Sequence, residues 1–157
     1  MNILDKLSPD AIKVPLESTD KRSAINELID VLATNGHVGD APELKRVVWE
    51  REQQRSTGIG EGLAIPHGKS DASEDLLIAV GHPSAPIDFE AIDGKPVQLI
   101  VLLISPPDKT AEHIQALGKI SRMMADPTTR EAAYACPSAE ALYELFRQHE
   151  TNQSAPA

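Results

Sequence analysis

The chain has 157 residues, only five of them aromatic, and a formal net charge of −9. That length suffices for one domain with an aliphatic core, and a single cysteine, Cys136, excludes an internal disulfide framework and suits a reducing cytoplasm. The acidic balance argues against nucleic acid and anionic membrane surfaces as general partners, the N-terminus lacks a signal-peptide pattern, and the longest apolar run, 99–104, is too short to insert into a bilayer.

Residues 12–16 alternate Ile12, Val14 and Leu16 on one face, which predicts a strand, and Pro15 pushes it to a sheet edge because it lacks an N–H. Ser18-Thr-Asp20 offers an N-cap, and Ile25, Leu28, Ile29 and Leu32 recur at helical spacing, so a helix is expected as far as Gly36. Asp40-Ala-Pro-Glu43 reads as a capping box opening a second helix with the apolar stripe Leu44, Val47 and Val48. Arg51 continues that stripe and Arg55 follows one turn later. An arginine on an inward face needs an anion, which is either a structural carboxylate such as Glu50 or Glu61 or the phosphate that its planar fork matches.

The stretch Ser56-Thr-Gly-Ile-Gly-Glu-Gly-Leu-Ala-Ile-Pro-His67-Gly-Lys-Ser70 carries the chemistry. Three glycines in five residues permit positive φ and close backbone approach. Pro66 fixes the chain just before His67, and Gly68 leaves the far side of the ring uncrowded. A histidine held in this way, one nitrogen hydrogen-bonded and the other open, is a nucleophile or proton carrier. Two nucleotide motifs fail here. A P-loop would need glycine where Leu63 stands, and Leu63 also takes the place of the third glycine of a dinucleotide fingerprint.

Residues 76–82 predict a buried strand, a short piece lies at 87–89, and 97–104 is nearly continuous apolar, as in a central strand covered on both faces. A helix capped by Asp108 or Thr110 runs to about Ala125 with His113 in its first turn, at the edge of the buried face, where the helix dipole disfavours an imidazolium. By itself, His113 also reads as a capping or satisfied core histidine. Two more short helices follow, and 150–157 lacks core residues and is expected to be a disordered tail after a single domain at 1–149. His37 and His149 read as surface residues, and His82 as a strand end bordering the site. The acidic runs 43–52 and 71–75 read as solvated faces. No spacing of a metal site occurs, and neither metal nor cofactor is expected. The fold class is α/β, a small mixed β-sheet covered by helices.

Glu52, six residues, Ile59-Gly60, two residues and Leu63-Ala-Ile-Pro-His67-Gly68 resemble the active-histidine signature of the enzyme IIA domains of the bacterial phosphotransferase system. The resemblance is to the fructose/mannitol class, including the free-standing nitrogen-regulatory members, and spans about 12–146. It implies a phosphocarrier in which His67 accepts a phosphoryl group through Nε2 from the histidine phosphocarrier protein. Arg51 matches an arginine near the phosphohistidine and His113 a second histidine beside it. Arg55 and the backbone amides around Gly68 are further candidate phosphate contacts, although nitrogen-regulatory members often have a smaller or apolar residue at the position of Arg55. Downstream, the resemblance leaves two outputs. One is a regulatory switch read by a kinase or transporter, favoured by the absence of an attached IIB, IIC or carrier domain. The other is sugar transport, with phosphate passed to a separate IIB domain.

Overall fold

The computed structural model describes residues 3–73 and 75–154, with backbone alone for 151–154. Six strands form one mixed sheet in the order β1-β5-β6-β3-β2, with β4 also paired to β6. They are β1 (Ile12–Leu16), β2 (Gly58–Gly60), β3 (Leu63–Ala64), β4 (His67–Lys69), β5 (Leu77–Pro83) and β6 (Leu99–Ser105), and the helices are α1 (Lys21–Thr34), α2 (Ala41–Gln54), α3 (Thr110–Ala125), α4 (Pro127–Tyr134) and α5 (Ala139–Ser154). Among the described residues no helix is long and apolar enough to cross a membrane.

β6 is the axis of the sheet, and all seven of its residues are buried. Its continuous apolar run has no polar face because helices cover it from both sides. Ile78, Val80 and Val101 meet Ile120, Met123 and Met124 of α3 and Phe146 of α5 on one face. Side chains of opposite parity point the other way, where α1 packs on β5 and α2 on β4. β1, which carries Pro15, lies at one edge and pairs in parallel with β5 alone.

The N-cap signals of α1 and α2 act as their chemistry predicts, whereas α3 opens from Lys109 with no side-chain cap, so neither Asp108 nor Thr110 caps it as expected. The Asp20 carboxylate accepts the Ser23 N–H at 2.9 Å to open α1, and Asp40 accepts the Glu43 N–H at 3.1 Å to open α2. α1 closes in a Schellman pattern, with Gly36 at φ +78° and the His37 N–H on the Leu32 carbonyl at 3.0 Å. Glycine is suited to that left-handed position because it has no Cβ.

The stretch between β3 and β4 shows how a proline shapes the sheet. Leu63 pairs with Leu99 and His67 with Leu103, both in parallel, so the two strands keep one register against β6. The ladder breaks only at Ile65-Pro66. Ile65 turns its N–H to the Thr57 carbonyl, and Pro66, which has none to give, still accepts from the Leu103 N–H at 3.0 Å. β4 is therefore a short strand held on one side by β6 and fixed in its exit angle.

Two expectations are corrected. The chain is helical through Ser154, and Glu150 is buried, not part of a loose tail: its carboxylate meets the Lys119 ammonium at 2.8 Å and accepts the Ile3 N–H at 3.3 Å, tying α5 to α3 and to the N-terminal turn. A polar side chain at a helix end can be core when it has such partners. Residues 155–157 of the expected tail lie outside the described residues. Glu52, read as part of a solvated acidic face, is 2% exposed. It accepts the Thr57 N–H at 3.0 Å and hydroxyl at 2.6 Å and pairs with Lys21 at 3.0 Å, so it closes the turn between α2 and β2.

Candidate functional site

The site lies where β4, α2 and the first turn of α3 converge. A cavity of about 470 Å³ is lined by Val47, Arg51 and Gln54 of α2, His67 and Lys69 of β4, and His113 and Leu117 of α3, with Glu50 and Gly68 completing it. His67 and Lys69 are two apart on a strand and so share a face, whereas Gly68 points to α2.

Gly68 is required there by packing. A Cβ at this position would lie 3.0 Å from Val47 Cγ1 and 3.0 Å from Val48 Cγ2, so the strand and the helix touch through the missing side chain. Gly68→Ala is expected to cost about 1–3 kcal/mol by overpacking, and it should slow any reaction needing Arg51 and His67 together. A denaturant midpoint unchanged from wild type would contradict this close contact.

His67 is half-buried, not largely exposed as a free loop nucleophile would be. Its Nδ1 lies 2.9 Å from the Ile65 carbonyl oxygen. A carbonyl can only accept, so Nδ1 carries the proton and Nε2 keeps its lone pair. Burial pushes the pKa of His67 down, and the Arg51 and Lys69 charges push the same way, against the Ile65 carbonyl and the Glu52 carboxylate. The ring is thus held neutral and nucleophilic.

His113 is 3% exposed, and its ring stands edge-on to His67, centroids 5.3 Å apart at an interplanar angle of 70°. Burial, then the neighbouring His67 and Lys69, lower its pKa to about 4. Below the ordinary value of 6.5 the unfolded chain takes up a proton that the folded ring refuses. This stability contribution is complete above about pH 6.5, and it is lost as pH falls towards about 4. The loss is expected to be on the order of 3 kcal/mol. Denaturant midpoints taken between these pH values should therefore fall more steeply for wild type than for His113→Gln, and parallel curves would contradict the assignment.

Arg51 is half-buried, and one guanidinium nitrogen, Nη1, donates to the Arg55 carbonyl at 3.0 Å. Among the described residues no carboxylate pairs with it, so neither Glu50 nor Glu61 forms a structural salt bridge there. Arg55 departs from expectation. α2 ends at Gln54, and Arg55 is extended at φ −166° and ψ 136°, so its side chain leaves the helical stripe, is exposed and does not line the cavity. Its contribution is the carbonyl that orients Arg51.

His82 also lies away from the cavity. Its two ring nitrogens meet the Pro83 carbonyl at 2.9 Å and the Tyr134 carbonyl at 2.7 Å, joining β5 to α4. His37 is exposed and His149 half-buried, both outside the cavity.

Two site residues escaped the sequence reading. Lys69 lines the cavity and donates to the Thr110 hydroxyl at 3.2 Å. Its signal was its place two residues after His67, legible once β4 is known to be a strand. Ser105, fully buried at the end of β6, lies 2.7 Å from His113 Nδ1. It is the one hydroxyl in β6, a strand otherwise made of aliphatic residues.

An open histidine lone pair, an arginine without a carboxylate and a second neutral histidine around one cavity suit transfer of an anionic group. The family model described as phosphoenolpyruvate-dependent sugar phosphotransferase system, EIIA 2, matches residues 5–149. The chain belongs to the phosphotransferase-system EIIA 2 family.

Relatives of this EIIA 2 chain carry two kinds of name. A nitrogen regulatory protein of Bradyrhizobium diazoefficiens is 34% identical over 146 residues, which is 93% of this chain and 95% of that protein. A fructose-specific EIIABC component of Bacillus subtilis is 32% identical over 96% of this chain, and the chain spans 24% of its length. The crystal structure of the nitrogen regulatory protein IIA-Ntr from Neisseria meningitidis superposes with a TM-score of 0.85 at 29% identity, covering 92% of this chain and 98% of that one. The IIA mannitol structure of Escherichia coli has the same fold, with a TM-score of 0.77 at 22% identity over 90% of this chain and 99% of that one.

Proposed function

We propose that this EIIA 2 chain is a phosphocarrier in which His67 accepts a phosphoryl group from the histidine phosphocarrier protein. The observation that carries the reading is the Ile65 carbonyl on Nδ1, which leaves Nε2 as the free nucleophile. Nε2 attacks the phosphorus of the donor's phosphohistidine in line. The new P–N bond forms as the donor's P–N bond breaks, and the departing imidazole takes the bonding pair. Each ring keeps the N–H on its other nitrogen, so no proton has to move. Positioning and charge stabilisation are then the protein's whole task. Arg51 and Lys69 face the charge on the phosphoryl oxygens, and His113 contributes a neutral donor. Keeping the second imidazole neutral avoids overbinding, since a relay must stabilise the transition state without trapping its product.

The output fits a regulatory, nitrogen-type role in the cytoplasm, supported by the nitrogen regulatory proteins that align with the chain over nearly their whole length. Phosphate on His67 would add charge to a concave surface and change what docks there. Sugar transport is the second reading, favoured by the fructose-specific EIIABC relative and by a fold relative solved as a complex of IIA mannitol with phosphorylated IIB mannitol.

The test is incubation with phosphoenolpyruvate, enzyme I and the histidine phosphocarrier protein, read by intact mass. One phosphate gained supports the relay, and none overturns it. Subsequent transfer to purified fructose- or mannitol-specific IIB domains would favour transport, and its absence the regulatory role.

A further inference from the structure

β6 is aliphatic from Leu99 to Ile104 and ends on Ser105, which has no exposed surface. Burying a hydroxyl among such neighbours is costly unless it is hydrogen-bonded. Its main chain is anchored by the sheet: Ser105 lies opposite Lys69 in the β4 ladder, and its carbonyl accepts the Ser70 N–H at 2.9 Å. After the corner made by Pro106 and the 3-10 turn Pro107–Lys109, the first turn of α3 brings His113 back over it, Oγ to Nδ1 at 2.7 Å. Among the described residues, His113 is the only hydrogen-bond partner of that hydroxyl.

Only two proton arrangements satisfy this contact while the imidazole is neutral. If Nδ1 carries the proton, the imidazole donates to Oγ. The hydroxyl hydrogen is then left without an acceptor in a buried place, and Nε2 offers a lone pair towards the cavity. If the hydroxyl donates, Nδ1 accepts and both groups are satisfied. Nε2 then carries the N–H.

We infer that Ser105 is a positioning residue: its hydroxyl donates to Nδ1 of His113 and holds that ring as the Nε2–H tautomer. The two imidazoles of the site are thereby fixed in opposite tautomers. The Ile65 carbonyl keeps the His67 proton on Nδ1 and its lone pair on Nε2, while Ser105 keeps the His113 lone pair on Nδ1 and its proton on Nε2. A phosphoryl group arriving between them meets a nucleophile on one side and a hydrogen-bond donor on the other. With the opposite His113 tautomer it would meet two lone pairs, one of them repelling its oxygens. This inference rests on the phosphocarrier reading for its consequence, though not for the hydrogen bond itself.

The experiment uses the full-length ¹⁵N-labelled chain and two-bond ¹H–¹⁵N correlation of the histidine rings, which distinguishes the tautomers directly. Wild-type His113 is expected as Nε2–H. Ser105→Ala should mix the tautomers, Ser105→Thr should restore the wild-type pattern, and His67 should be unchanged in both. Phosphoryl transfer should fall about tenfold in Ser105→Ala, recover in Ser105→Thr, and fall no further when Ser105→Ala is added to His113→Ala. A wild-type His113 found as Nδ1–H overturns the inference without requiring any variant to fold. It is equally overturned if Ser105→Ala slows the His113→Ala chain as much as it slows the wild type. Because the tautomer is read without phosphate, a chain that takes up no phosphate yet shows Nε2–H on His113 sinks the phosphocarrier reading alone.

Discussion

His67→Ala is expected to eliminate the phosphate gain completely while moving the unfolding free energy by no more than about 1 kcal/mol. The chemical half of this expectation depends on no other histidine being able to substitute. His113 is buried with Nδ1 committed to Ser105, and His82 has a carbonyl oxygen at each ring nitrogen. His37 and His149 stand outside the cavity. The stability half follows from what the side chain holds: a half-buried ring with one hydrogen bond to a carbonyl two residues away. The pairing of β4 with β6 is made by main chain, which alanine preserves. Intact mass and a denaturant curve on the same sample check both halves. Residual phosphate on the variant would move the acceptor elsewhere, and a grossly unfolded variant would show that the ring is a core element.

Arg51→Ala should slow phosphoryl transfer by on the order of a hundredfold or more, the range found when one preorganised donor to a developing anion is removed. Arg51→Lys should slow it much less than alanine but measurably, because lysine keeps the charge and loses the planar fork. The structure gives the geometric reason: Nη1 is held by the Arg55 carbonyl at 3.0 Å, so the guanidinium is oriented before any phosphate arrives. An ammonium has no second edge to be oriented in this way. Arg51 also pushes the His67 pKa down, so its removal should raise that pKa and reduce the neutral, nucleophilic fraction in mildly acid solution. The alanine defect should therefore deepen as pH falls. Equal transfer rates for the alanine and lysine variants would sink the bidentate role.

Much of the fold was legible because its signals are local. The α1 stripe, its Asp20 cap and its Gly36 stop are each decided within a turn of helix, and the unbroken apolar run of β6, too short for a typical helix and stopped by Pro106, reads as a strand covered on both faces. The histidine proposed as nucleophile stood out for the same reason, since Pro66, His67 and Gly68 adjoin in sequence. The features that were misread or missed depend on partners far along the chain. Glu52 looks solvated on a charged helix, and only the return of Thr57 and the approach of Lys21 make its burial affordable. Glu150 becomes core through Lys119 and Ile3. Arg55 follows the arginine stripe in spacing, yet the helix stops one residue before it, and a cap can shift a boundary by that much without a sequence signal. Ser105 reads as the end of an apolar strand until α3 folds back and sets His113 against it.

The most direct test of the account locates the phosphate on the ring. The chain, ¹⁵N-labelled in its histidines and phosphorylated through the histidine phosphocarrier protein, would be examined by ¹⁵N and ³¹P NMR. One phosphohistidine is expected, at Nε2 of His67, with Nδ1 still protonated and held by the Ile65 carbonyl. Phosphate on Nδ1 of His67, or on any other histidine, would contradict it.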